Sequence, residues 1–236
     1  MTYQKVMISA LAALLALAAC SQLPPPATQA TQTTPATQAT APAAAVAPST
    51  PSAPPADAGP QLAIDTEHSL IVATVRRGGM LARLGHDHVV ASHNISGTVS
   101  PQANRADFTF RLDEMKIDEA DLRRTAGLEK QPSADAIEGT RHNMLTKVLE
   151  AERYPLVNVH AERGAPGQAL QVAITLHGVT RTLAIPAELR EENGVITVRG
   201  TVSLKQTDFG LTPFSVMAGA LAVQDEMELR FDLRTR

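Results

Sequence analysis

Tryptophan is missing from this 236-residue chain, and aromatic residues make up only 3% of it. Stacking of bases or sugars on an aromatic platform is therefore excluded as its main mode of recognition, and any hydrophobic interior must be built from Val, Leu, Ile and Ala. The single cysteine, Cys20, excludes an internal disulfide and any thiolate metal cluster. Neither sign of charge dominates. With 21 basic and 24 acidic side chains the formal net charge is −3, and no Lys/Arg cluster offers a track for nucleic acid. A Gly-x-Ser-x-Gly elbow, a phosphate loop and a His-Glu-x-x-His pair are all lacking, so hydrolase, nucleotide-hydrolysing and metalloprotease chemistries have no motif behind them. The chain reads as a non-enzyme.

What is present begins with an apolar run, residues 6 to 19, "VMISALAALLALAA", which follows one basic residue, Lys5, and ends in small residues. It is too short for a comfortable membrane span and has the form of a secretory signal, giving a signal peptide over residues 1–19. "LAAC", Leu17 to Cys20, resembles the bacterial lipobox, which implies that Cys20 is lipidated and becomes the mature N-terminus. Several acyl chains at about 0.8 kcal/mol per buried methylene make an effectively permanent anchor. Ser21 stands where an aspartate favours inner-membrane retention in the lipoproteins this resembles, so the expected location is the periplasm, anchored to the outer membrane. Residues 20–60 then run through Pro, Ala, Thr, Gln and Ser with no charge before Asp57. Such a segment cannot repay its ordering entropy and is expected to be a disordered linker.

From residue 61 to 236 the pattern changes to alternation of apolar and polar residues, the period-two signature of strands with one buried face. The inward sets are Ile71, Ala73, Val75; Ile95, Gly97, Val99; Phe108, Phe110, Leu112; Val157, Val159, Ala161; Leu170, Val172, Ile174, Leu176; Leu183, Ile185, Ala187, Leu189; Ile196, Val198, Val202, Leu204; and Met227, Leu229, Phe231, Leu233. His177-Gly178 and Asn193-Gly194 supply the positive φ angles of hairpin turns, so neighbouring strands are antiparallel. A helix is expected over residues 134 to 149, stopped by Tyr154-Pro155, and a weaker helical turn near residues 118 to 124. The fold class expected is all-β with one or two helices: an eight-stranded antiparallel barrel, wide enough to hold one small apolar ligand. The ligand-binding candidates are the inward side chains Ile71, Ala73, Val75, Phe108, Phe110, Val157, Val159, Val172, Ile174, Leu183, Ile185, Val198, Val202, Leu229 and Phe231.

Three stretches resemble the YceI-like family: "ITLHGVTRTLAIPAEL", "ERYPLVNVHAE" and "GTVSLKQTDFGL", together with His142 standing twelve residues before Tyr154. The resemblance runs from about Leu62 to Arg234. It implies a barrel of extended lipocalin type that binds a polyisoprenoid lipid, of quinone or polyprenyl phosphate type, without converting it. Three departures stand out. The first two strands are joined by a longer stretch containing "GHDHVV"; Lys147 and Val148 replace the usual helix aspartate and phenylalanine; and small Ala73 stands where a bulky aromatic is common.

That "GHDHVV" stretch belongs to "RLGHDHVVASHN", which packs His86, His88 and His93 into eight positions of a chain with seven histidines. Three readings stay open: a solvated or hydrogen-bonded loop, a metal site, or a polar rim in which protonated imidazole pairs with a ligand's phosphate. The three histidines are expected in the crossing between the first two strands, near an opening of the barrel, and their joint replacement is expected to leave thermal unfolding nearly unchanged. His86 and His88 are the metal candidates, and zinc or copper is what paired imidazoles would take, with a further ligand from His93, Asp87, His68 or His142. The favoured reading has no cofactor, and its partners are the lipid ligand and the membrane. His86, His88, His142 and Arg181 are the rim candidates. The alternative is a histidine-based metal-binding or redox-partner protein on the same scaffold.

Overall fold

Residues 59–236 are described by the computed structural model. The signal peptide, the lipid anchor at Cys20 and nearly all of the linker lie outside the described residues. In chain order the strands are β1 (Leu62–Ala63), β2 (Leu70–Gly78), β3 (His88–Ser92), β4 (Ser96–Ser100), β5 (Arg105–Arg111), β6 (Lys116–Ile117), β7 (Leu156–Glu162), β8 (Leu170–Leu176), β9 (Val179–Ile185), β10 (Ala187–Glu192), β11 (Val195–Lys205), β12 (Ser215–Val216) and β13 (Leu221–Arg234). Helices α1 (Ala120–Thr125) and α2 (Ala134–Asn143) separate β6 from β7. Ser133 caps α2 by accepting a hydrogen bond from the Ala136 amide, and the helix widens into a π-helical turn over Met144–Val148. No helix among the described residues is long and apolar enough to cross a membrane.

All ladders are antiparallel and divide into two sheets, ordered β1-β4-β5-β7-β8-β9 and β10-β11-β13-β2-β3-β6, with β12 added beside β13. This differs from the expected continuous ring of eight strands. The set from Leu183 to Leu189 is one alternating run in sequence, but Pro186 has no amide to donate, and the chain passes there from β9 in one sheet to β10 in the other. At another seam the sheets meet through a bridge between Ile64 and Thr235, where Asp65 N donates to Arg234 O at 2.8 Å and Arg236 N to Ala63 O at 3.0 Å. Both expected hairpin turns form, with φ of 53° and 74° at His177-Gly178 and 51° and 78° at Asn193-Gly194.

A strand that alternation missed is β3. It lies beside β2, and Val89, Val90, Ala91 and Ser92 are all buried. Val89 and Ala91 pack with Val72 and Leu128 on one side, while Val90 and Ser92 face the space between the sheets. A strand covered on both faces carries no period-two signal. Close backbone approach matters at Gly97 in β4, where a side-chain carbon would stand 2.2 Å from Asp107 O and 2.5 Å from Phe108 Cα on β5. Gly97→Ala is expected to lower unfolding stability by about 1–3 kcal/mol in urea titration, since the two strands must separate to admit a methyl group.

Candidate functional site

Between the two sheets lies a cavity of about 460 Å³. A single water needs only about 10–15 Å³, and a space this size with so apolar a lining does not hold water well. Its walls come from the inward faces of the long strands: Ile71, Ala73 and Val75 from β2, Phe108 and Phe110 from β5, Val157 and Val159 from β7, Val172 and Ile174 from β8, Ile185 at the end of β9, Val198 from β11, and Leu229 and Phe231 from β13. Leu183 and Val202 also face inward, but they pack against the surrounding core instead of lining the cavity. Leu112 and Leu204, from the inward sets, also line it, whereas sequence reasoning missed Val90, on the hidden strand, and Met115, Leu149 and Phe209 as lining residues. It also missed Thr140, Asn143 and Met144, which α2 and its π-helical turn present to the cavity at helical spacing of three and four.

Polar groups gather at one part of this apolar wall: Arg77, His86, His88, Thr140 and Asn143. His88 opens β3 opposite Val75, and its Nδ1 lies 2.6 Å from Oδ2 of Asp118. That distance to a carboxylate makes Nδ1 the protonated nitrogen and leaves Nε2 beside the Thr140 hydroxyl at 3.3 Å. Asp118 is buried, with φ of 58°, and also accepts from the Val89 amide at 3.1 Å and from Nη1 of Arg123. Arg123, equally buried, donates further to the carbonyls of Asp87, at 2.7 Å, and Lys130. Desolvation pushes the Asp118 carboxyl up, but hydrogen bonds from His88, the Val89 amide and Arg123, with the His88 charge, outweigh it and hold the pKa below the ordinary carboxylate value.

His86 also lines the cavity, with its ring centroid 6.1 Å from that of His88. Burial first, then the positive fields of His88, Lys130, Arg123 and Arg77, hold its pKa below the ordinary imidazole value. No group of three or more His, Cys, Asp or Glu side chains among the described residues is placed to share a metal ion. His93 instead bonds Glu119 at 2.7 Å, and His68 bonds Asp65 at 2.8 Å.

The remaining rim candidates sit elsewhere. His142 is exposed on α2 and does not reach the cavity. Arg181, inward by parity, is exposed on the edge strand β9, and its Nε donates to Asp208 O at 2.6 Å, which ties down the 206–209 turn. The three clustered histidines are thus not equivalent: His88 is hydrogen-bonded to a buried carboxylate, whereas His93 bonds Glu119 at an exposed position. His88→Ala is expected to lower stability by about 1–3 kcal/mol in thermal or urea unfolding, because it strips a buried carboxylate of a partner. His86→Ala and His93→Ala are expected to stay within about 0.5 kcal/mol of the parent.

Among solved structures, a polyisoprenoid-binding domain from Saccharophagus degradans, implicated in plant cell wall breakdown, is similar at 15% identity and a TM-score of 0.53, covering 74% of this chain and 97% of that one. BcnA of Burkholderia cenocepacia is similar at 16% identity and a TM-score of 0.53, covering 73% of this chain and 99% of that one. At such identities the likeness concerns the fold. No curated protein sequence matches the chain. The family model described as the YceI-like domain matches residues 62–235, the whole of the two-sheet unit with its cavity, and the chain belongs to that family.

Proposed function

We propose that this protein is a periplasmic lipoprotein, anchored through Cys20 to the outer membrane, that binds or carries an isoprenoid lipid between its two sheets without converting it. The observation that carries the reading is the apolar cavity of about 460 Å³, within the roughly 300–1,000 Å³ of small-molecule sites. Burial of a prenyl tail contributes about 0.8 kcal/mol per methylene, enough to drive binding with no cofactor and no covalent step. The similarity to a polyisoprenoid-binding domain supports the same ligand class. The tail lies against Ala73, Phe108 and Phe231, and the polar end, of quinone or phosphate type, sits where His86, His88, Thr140 and Asn143 meet. Lipidation and outer-membrane sorting rest on "LAAC" and on Ser21.

Native mass spectrometry of residues 59–236 purified from a bacterial host tests the reading. An adduct of several hundred daltons that organic solvent releases is the expected result. An adduct removed by chelator, and abolished by His86→Ala with His88→Ala, would replace it with the metal-binding alternative.

A further inference from the structure

Two loops at one end of the fold carry large apolar side chains that core packing does not require. Met80 is 91% exposed and Leu84 63%, both between β2 and β3; Met217 is 68% exposed and Val216 39%, both between the 206–209 turn and β13. Of the large hydrophobic side chains left exposed among the described residues, only Leu156 lies outside these two loops. The loops form one rim. Leu81 N donates to Ala220 O at 2.7 Å, and a side chain on Gly79 would stand 2.5 Å from Ala220 O. Met217 and Ala218 both hold φ of 53°, a left-handed conformation unfavourable for side chains of their kind, so the backbone is strained where it presents Met217.

The rim is continuous with the cavity. Leu84, Phe214 and Leu221 line the cavity, and Leu84 is at the same time largely exposed, so the apolar interior reaches solvent at that residue. Between Gly79 and His86 the only full charge is Arg83, and between Phe214 and Leu221 there is none. The chain enters the fold at the other end: Ile64 bridges Thr235, whereas β2 runs from Leu70 opposite Asp232 to Gly78 opposite Ala222. An exposed apolar rim around the mouth of an apolar cavity, edged by the guanidinium groups of Arg83 and of Arg77, whose Nη1 donates to Gly85 O at 2.9 Å, matches the chemistry of a bilayer interface.

We infer that these loops are a membrane-docking rim. Met80, Leu84, Val216 and Met217 enter the bilayer interface, Arg83 stays at head-group level, and the occupant of the cavity moves between protein and bilayer beside Leu84 without exposing its tail to water. The exchange step rests on the lipid-binding reading; docking does not.

The test uses residues 59–236, without signal or lipid anchor. This part stands alone as a fold, since similar solved structures are matched over 97% and 99% of their own lengths. Flotation with vesicles of phosphatidylethanolamine and phosphatidylglycerol is expected to carry the protein upward, and Met80→Asp with Met217→Asp to weaken that partition about tenfold or more. Because the chain has no tryptophan, Met217→Trp alone gives a second readout that does not depend on the double variant folding. Its emission shifts to the blue when vesicles are added, while Glu192→Trp, in the hairpin at the far end, does not respond. Absence of flotation, flotation indifferent to the double substitution, or equal shifts at both positions overturns the proposal. So does self-association that depends on Met80 and Met217 without vesicle affinity, which would assign the patch to a second copy. A protein that carries an isoprenoid in native mass spectrometry yet does not float defeats docking alone; one that floats yet carries no isoprenoid defeats the lipid-binding reading alone.

Discussion

Asp118→Ala is expected to cost about 3–5 kcal/mol of unfolding stability, more than Gly97→Ala or His88→Ala. The carboxylate is buried and holds three partners together: His88 at the start of β3, the Val89 amide, and the guanidinium of Arg123 from α1. Its removal leaves the buried Arg123 guanidinium without its ion-pair partner, and Nε of Arg123 already has no hydrogen-bond partner. Asp118→Asn keeps the shape but not the charge, and is expected to fall between the parent and the alanine variant.

The pH dependence follows from the depressed pKa. A carboxyl whose folded-state value lies below its unfolded value near 3.8 contributes stability that is present above that value and lost as pH falls through the folded one. The stability gap between the parent and Asp118→Asn, measured by urea titration, is therefore expected to be level from neutral pH down to about pH 5 and to close in stronger acid. A gap that widened on acidification would mean that the native His88–Asp118 pair takes up a proton that the unfolded chain does not.

Ala73→Trp is expected to abolish ligand uptake while leaving the fold intact. Ala73 lies on β2 between Val90 of β3 and Leu229 of β13, and its methyl group borders the cavity. An indole there occupies space that already exists, so the usual penalty for overpacking a dense core does not apply. Displacing three or four methylenes of a bound tail at about 0.8 kcal/mol each corresponds to a loss of affinity of about 100-fold. The same substitution is expected to leave the melting temperature unchanged or raised. Unaltered binding by a well-folded Ala73→Trp protein would place the ligand outside the cavity.

How much of this was legible in the sequence depends on whether a strand has one wet face. The alternations of β5, β7, β8 and β13 identify both the strands and the side chains that line the cavity, because in each of them one face meets solvent. In β3 neither face does, and Val89 to Ser92 show no pattern to read. Alternation is also blind to which strand pairs with which. The run from Leu183 to Leu189 therefore looked like one strand, although Pro186 divides it between two sheets. The polar part of the site was harder still. Family spacing singled out His142 and parity singled out Arg181, but neither spacing nor parity fixes where a long side chain turns, and both turn away. Asp118 carries no periodic signature at all. Its role follows from a positive φ and from burial beside Arg123, which only the folded chain brings together.

The most direct test of the account is calorimetric titration of residues 59–236 with the long prenol geranylgeraniol, repeated at several temperatures. The prediction is saturable binding at one site with a clearly negative heat-capacity change, the mark of apolar surface leaving water, and its disappearance in Ala73→Trp. Absence of binding, or binding with no heat-capacity change that Ala73→Trp leaves intact, would contradict the claim that the space between the sheets receives the tail.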